Sequence, residues 1–128
     1  MRSHLLVAFA AVCLVVSPSL ASETKPFTQA AFDAAQAADK PILVDIHAWW
    51  CPICAKQAPT LEKLQSSTEL GDLTVFKVDF DSQKDVVHQF GAQMQSTLIV
   101  FHGKTEKGRS TGMTDPQKIH DLLLQAKN

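Results

Sequence analysis

The chain has 128 residues, the length of one small domain, with 12 basic and 13 acidic residues and a formal net charge of −1. Hydrophobic residues at 45% against charged residues at 20% place it among folded globular proteins and exclude a disordered chain. A near-neutral balance with no basic cluster excludes the electrostatic footprint of a nucleic-acid binder.

Arg2 and His4 precede an unbroken apolar run of twelve, residues 5–16 (LLVAFAAVCLVV). A bilayer span takes about 20 such residues, so this run is short for a transmembrane helix. Ser17-Pro18-Ser19-Leu20-Ala21 follows, with small residues Ser19 and Ala21 at the spacing a signal peptidase reads. The expectation is a Sec-type signal peptide over residues 1–21, cut after Ala21, and a periplasmic mature protein. The alternative is an uncleaved N-terminal anchor. Cys13 lies inside the run, without the surroundings of a lipid-attachment site. Removing residues 1–21 leaves residues 22–128, a single domain of 107 residues with 11 basic and 13 acidic residues, net −2. That length suffices for one core. Cys51 and Cys54 are then the only thiols, in a compartment where disulfides form.

Residues 22–26 read as a loose lead-in. Thr28 is placed to cap a helix over residues 29–39, whose small face is Ala31, Ala34, Ala35 and Ala38 with Phe32, and Lys40-Pro41 ends it. Residues 42–48 (ILVDIHA) form a nearly continuous apolar, β-rich run, the pattern of a central strand covered on both faces. Cys51 then caps a helix with Pro52 at its first position, running to about Gln65 with Cys54, Ala58, Leu61 and Leu64 on one face and Pro59 inside. Residues 73–79 read as a strand, 83–90 as a helix ended by Gly91, and 97–102 as a strand. Residues 103–108 read as a polar turn and 109–112 as a short edge strand. Asp115 and Pro116 open a last helix with Ile119, Leu122, Leu123 and Ala126 as its buried stripe. The order α-β-α-β-α-β-β-α implies parallel pairing through the β-α-β units and an antiparallel end, a mixed sheet with helices on both faces.

The pair Cys51-Pro52-Ile53-Cys54 has three readings. A structural zinc needs four ligands, and no second cysteine pair or ligand-spaced histidine set accompanies this one. A disulfide staple stabilises most when it closes a long loop, and this one closes a very short loop. A redox pair fits the local physics. Cys51 at a helix N-terminus faces the positive end of the helix dipole and free backbone N–H groups, which favour the thiolate. Cys54 lies one turn further on the inward face, close enough to close on Cys51.

The segment ILVDIHAWWCPICAKQAP resembles the strand, active-site turn and helix of the thioredoxin family, and the likeness extends over residues 27–127 through LTVFKVDFD, Phe90-Gly91, STLIVF and Gly112. The resemblance implies an α/β thioredoxin fold and thiol–disulfide oxidoreductase activity. It makes Cys51 the attacking thiol and Cys54 the resolving thiol. Asp45 becomes the buried acid that takes and returns the proton of Cys54, with Lys77 beside it. A carboxylate inside an apolar strand is costly when charged, so its pKa should rise towards the working range of an acid–base. Trp50 becomes part of the partner-docking surface, and Pro52 and Ile53, both uncharged, set the redox balance. No cofactor beyond the Cys51–Cys54 pair is expected.

Two positions depart from the family. His47 stands where a tryptophan is usual. It shares a strand face with Asp45, and either tunes the thiols by charge or is a solvent-side substitution. Ser96 stands where the family has a cis-proline, in the loop Gln95-Ser96-Thr97 that meets the partner's chain. A cis bond costs about 2.5–4 kcal/mol before a non-proline residue against about 0.5–1 before proline, so the Gln95–Ser96 bond is expected to be trans. The backbone N–H and hydroxyl of Ser96 are then candidate donors to the sulfurs, and Gln95 keeps its backbone role only if the loop keeps its shape. The expected function is reduction or isomerisation of disulfides in exported proteins, by a monomer recharged from a membrane-embedded electron donor. The competing class is a binding module that handles a soft metal such as copper(I), or a scaffold, without redox turnover.

Overall fold

The computed structural model describes residues 12–15 and 22–128. The expected signal peptide lies outside the described residues except for positions 12–15, which include Cys13 and are exposed without regular structure. No described helix is long and apolar enough to cross a membrane.

From Ser22 onward the elements are β1 (Glu23–Pro26), α1 (Gln29–Ala37), β2 (Pro41–His47), α2 (Pro52–Gln65), β3 (Thr74–Asp79), α3 (Lys84–Gln89), β4 (Thr97–His102), β5 (Thr105–Thr111) and α4 (Pro116–Leu124), with a closing 3-10 turn Gln125–Lys127. Among the described residues the strands form one sheet in the order β1-β3-β2-β4-β5. β1 and β2 run parallel to β3, while β2 pairs antiparallel with β4, and β4 with β5. The mixed α/β sheet expected from the element order is therefore present.

The strands sort their side chains by alternation. Ile42, Val44 and Ile46 of β2 point to one face, with Phe32 and Ala35 of α1 and Val86 and Val87 of α3. Leu43 points to the other, with Leu61 of α2 and Ile119, Leu122 and Leu123 of α4. All the apolar residues of β2 are buried, which is why its sequence reads as a continuous run. Asp45 and His47 share the parity of Leu43 and so belong to the α2 side. A ring cluster fastens the α1 side: the centroid of Phe32 lies 5.4–5.7 Å from those of Phe27, Phe76, Phe90 and Phe101.

Helix starts follow the expected caps. Thr28 Oγ1 accepts the Ala31 N–H at 3.2 Å, and Asp115 Oδ1 accepts the Lys118 N–H at 2.9 Å. Two expectations are corrected. Residues 23–26, which read as a loose lead-in, form the edge strand β1; its side chains are mostly polar and exposed, and backbone pairing with β3 holds it. Residues 105–108, taken as a turn, belong to β5, whose exposed edge position permits polar side chains throughout.

Candidate active site

β2 ends at His47, and the chain turns through Ala48, Trp49 and Trp50 into α2. Cys51 is the N-cap of α2, with extended backbone (φ −84°, ψ 111°), and Pro52 follows at the first helical position. Pro52 has no N–H to leave unpaired there and its fixed φ suits the helix. Cys51 and Cys54 form a disulfide with Cα atoms 5.3 Å apart. The Cys54 N–H points at Cys51 Sγ at 3.1 Å. A sulfur in that place takes one of the free donors of the helix start and sits at the positive end of its dipole. Both cysteines are buried and, with Ala48, make a small cluster against Phe80.

What separates the two sulfurs is their surroundings. Cys54 lines a cleft of about 200 Å³ together with Asp45, His47, Ala58, Leu61 and Lys77. Asp45 is only 5% exposed, in the middle of β2. Burial raises its carboxyl pKa above the ordinary value; the charges of Lys77 and His47 pull the other way without cancelling it. Lys77 is the residue opposite Asp45 in the β2–β3 register, on the same face, and no ion pair within 4.0 Å joins them among the described residues. The structure thus brings Asp45, His47, Lys77 and Cys54 to one cleft.

Trp50 is 45% exposed, and its indole Nε1 donates to Asp81 Oδ2 at 2.8 Å while its ring meets Phe80 edge-on at 6.4 Å. Asp81 is held in turn by Asp79, whose Oδ1 accepts the Asp81 and Ser82 N–H groups at 2.9 and 3.3 Å. These two backbone donors hold the Asp79 carboxyl below its ordinary pKa. Asp81 was not singled out in the sequence, where an aspartate after a strand carries no such signal. Trp49 is 86% exposed, and with Trp50, Ile53 and Met94 it supplies exposed apolar surface among the described residues.

Ser96 is 2% exposed, and its backbone adopts φ 61°, in the left-handed region. No cis peptide occurs among the described residues, so the Gln95–Ser96 bond is trans. The Ser96 N–H donates to the Ile46 carbonyl at 2.8 Å, which extends the β2–β4 ladder by one bond. That donor is therefore spent on the sheet and is not free for a sulfur, which corrects half of the expectation for this residue. The Ser96 carbonyl accepts the N–H of Gly112 at 3.0 Å. Gly112 itself has φ 76°, a conformation open to glycine. Thr97 Oγ1 donates to the Met94 carbonyl at 2.7 Å and closes the turn. Between them, Gln95 makes no backbone hydrogen bond among the described residues.

A second residue that sequence reasoning missed, after Asp81, is Gln57. It lies on the buried face of α2, 1% exposed, between Cys54 and Leu61. Its Nε2 donates to the carbonyls of Ser96 at 3.3 Å and Met113 at 2.9 Å. Its position, three residues after Cys54 and four before Leu61, was the available signal. No group of three or more His, Cys, Asp or Glu side chains converges as a metal-binding set among the described residues.

Comparison with known proteins agrees with this geometry. The family model for thioredoxin matches residues 23–125. The chain is 39% identical over 80 residues to a thioredoxin of Alicyclobacillus acidocaldarius, covering 62% of this chain and 75% of that one. It is 32% identical over 94 residues to thioredoxin 1 of Chlorobaculum tepidum, covering 73% and 92%. Among solved structures, Trxlp from Edwardsiella tarda superposes with a TM-score of 0.77 at 44% identity, over 79% of this chain and 98% of that one. The disulfide at the start of α2, the buried acid behind it and the match along nearly the whole sheet lead to one conclusion: the chain belongs to the thioredoxin family of thiol–disulfide oxidoreductases.

Proposed function

We propose that the protein is an exported oxidoreductase that reduces or isomerises disulfides in other exported proteins through Cys51 and Cys54. The observation that carries this reading is the asymmetry of the pair: Cys51 Sγ meets the N-terminus of α2, while Cys54 opens onto the cleft of Asp45. In the dithiol form the Cys51 thiolate attacks one sulfur of a partner disulfide. The new Cys51–partner bond forms as the partner's own S–S bond breaks, and the released partner thiolate takes a proton. Cys54 gives its proton to Asp45, directly or through water, and its thiolate attacks Cys51. The Cys51–Cys54 disulfide forms and the second partner thiolate leaves. The partner gains two electrons and the pair loses two, so each turnover needs an outside reductant; for an exported protein this is a membrane-embedded electron donor.

The reductive or isomerising direction follows from the buried Asp45 and the uncharged Pro52 and Ile53, none of which adds a further cationic push towards the thiolate. Gln95, with its unpaired backbone, is placed to bond the partner's chain, and Trp50, held by Asp81, forms a wall of the docking surface. Export rests on the apolar run of residues 5–16 and the small residues Ser19 and Ala21. The test is turnover of insulin disulfides with dithiothreitol by the wild type and by Cys51→Ser, with mass spectrometry of the protein from a cell envelope fraction. The proposal expects turnover lost in the variant and a mature chain beginning at Ser22. Equal turnover in both, or a full-length chain retained in the cytoplasm, would contradict it.

A further inference from the structure

We propose that Gln57 is a positioning residue: it holds the Ser96 turn, and with it the unpaired backbone of Gln95, in the shape that receives a partner's chain. The proposal rests on the reading of residues 95–97 as a partner-binding loop and names what keeps that loop in place.

Gln57 occupies a helix face whose other members are apolar or thiol. An apolar side chain of similar size would bury no amide oxygen there. The amide instead spends its Nε2 on two carbonyls, those of Ser96 and Met113. Those two acceptors fix the orientation of the amide, because a flipped group would set oxygen against both. The orientation leaves Oε1 as the one buried side-chain polar atom without a hydrogen-bond partner among the described residues. Such an atom is costly and calls for an explanation beyond packing. Stability of α2 does not supply one.

The loop does. Ser96 has φ 61°, a conformation that penalises residues with a Cβ. It also lacks the ring with which the family's proline restricts this backbone. The turn therefore needs holding from outside: beside the Thr97 hydroxyl bond to Met94, three bonds hold the Ser96 backbone itself, its N–H to Ile46, its carbonyl from Gly112, and its carbonyl from Gln57. Only the last comes from a side chain, and it comes from the turn of α2 that directly follows Cys54. Gln57 thus ties together the redox helix, the start of β4 and the segment after β5. Gln95 lies one residue from this tie, with both of its backbone groups open.

The experiment compares Gln57→Leu with the wild type on two disulfides: insulin, which presents a peptide backbone to Gln95, and 5,5′-dithiobis(2-nitrobenzoate), which has none. The expected result is a KM for insulin raised about tenfold, with kcat little changed, and insulin efficiency falling about tenfold relative to that for the small disulfide. Gln57→Met, a flexible apolar replacement, gives the same split and guards against a folding failure of the leucine variant. On a Ser96→Gly background, where the left-handed turn carries no Cβ penalty, the loss from Gln57→Leu shrinks. A lower melting temperature with unchanged insulin KM would overturn the proposal in favour of a structural role. Equal losses on both disulfides, or an undiminished loss on the Ser96→Gly background, would overturn it as well. Wild-type protein inert towards both disulfides would instead overturn the oxidoreductase reading, and this one with it.

Discussion

Replacing Ser96 by glycine should make the protein more stable. The native φ of Ser96 is 61°, and a left-handed residue carrying a Cβ costs about 1–2 kcal/mol relative to the ordinary helical region. Glycine removes that cost but loses more freedom on folding, by about 0.5–1 kcal/mol. The three hydrogen bonds that hold the turn use the Ser96 backbone, so the substitution keeps them. The balance is a gain of about 0.5–1 kcal/mol. A domain of this size shifts by about 4–8 °C in Tm per kcal/mol, so the midpoint should rise by about 2–8 °C. The assay is calorimetry of the disulfide form without reductant. Ser96→Val supplies the opposite arm, because a β-branched residue is a strong outlier at that φ. A fall in Tm for Ser96→Gly, or a Ser96→Val protein as stable as the wild type, would refute the left-handed turn as the source of the cost.

Phe32→Ala removes the ring at the centre of the α1-side cluster, and should cost about 3–5 kcal/mol in urea titrations; a loss below about 1 kcal/mol would show that the cluster is not a packed core. The folded state raises the Asp45 pKa above the ordinary 3.8. Below that value the carboxyl is protonated in both states; as pH rises the unfolded chain ionises first, and the wild type loses stability until the folded value is passed. Asp45→Asn should therefore be more stable than the wild type at pH 7 and equal to it near pH 3, and its turnover should fall about a hundredfold for want of a proton acceptor. A stability gain that grows as pH falls would reverse the assigned sign. Reducing the Cys51–Cys54 disulfide opens a loop of only four residues, worth about 2 kcal/mol of unfolded-chain entropy. A much larger drop in urea midpoint on adding dithiothreitol would mean that the bond serves as a structural staple.

The parts of the fold that were legible in the sequence are those where side-chain pattern and structure share a cause. β2 is buried on both faces, so its apolar run announced a central strand. Cys51 and Pro52 satisfy the chemistry of a helix start, so the sequence alone places the thiol at the dipole. Asp45 stood out because a carboxylate in such a run is costly. β1 was hidden because backbone pairing with β3 holds it while its side chains are mostly polar and exposed. The first half of β5 was hidden for the same reason at the opposite edge. Gln57 and Asp81 were hidden because their meaning lies in partners 39 and 31 residues away in the chain, at Ser96 and Trp50. At Ser96 the sequence showed that a proline was missing. The structure adds that the turn stays trans, goes left-handed, and gives its N–H to the sheet.

In the proposed cycle Cys51 attacks and Cys54 resolves. Trapping of the mixed disulfide decides that order. Cys54→Ser should accumulate a covalent complex with a disulfide-containing protein, seen on a non-reducing gel and dissolved by dithiothreitol, because nothing remains to attack the Cys51–partner bond. Cys51→Ser should accumulate none. Complexes in equal yield from both variants, or from Cys51→Ser alone, would contradict the assignment of the two thiols.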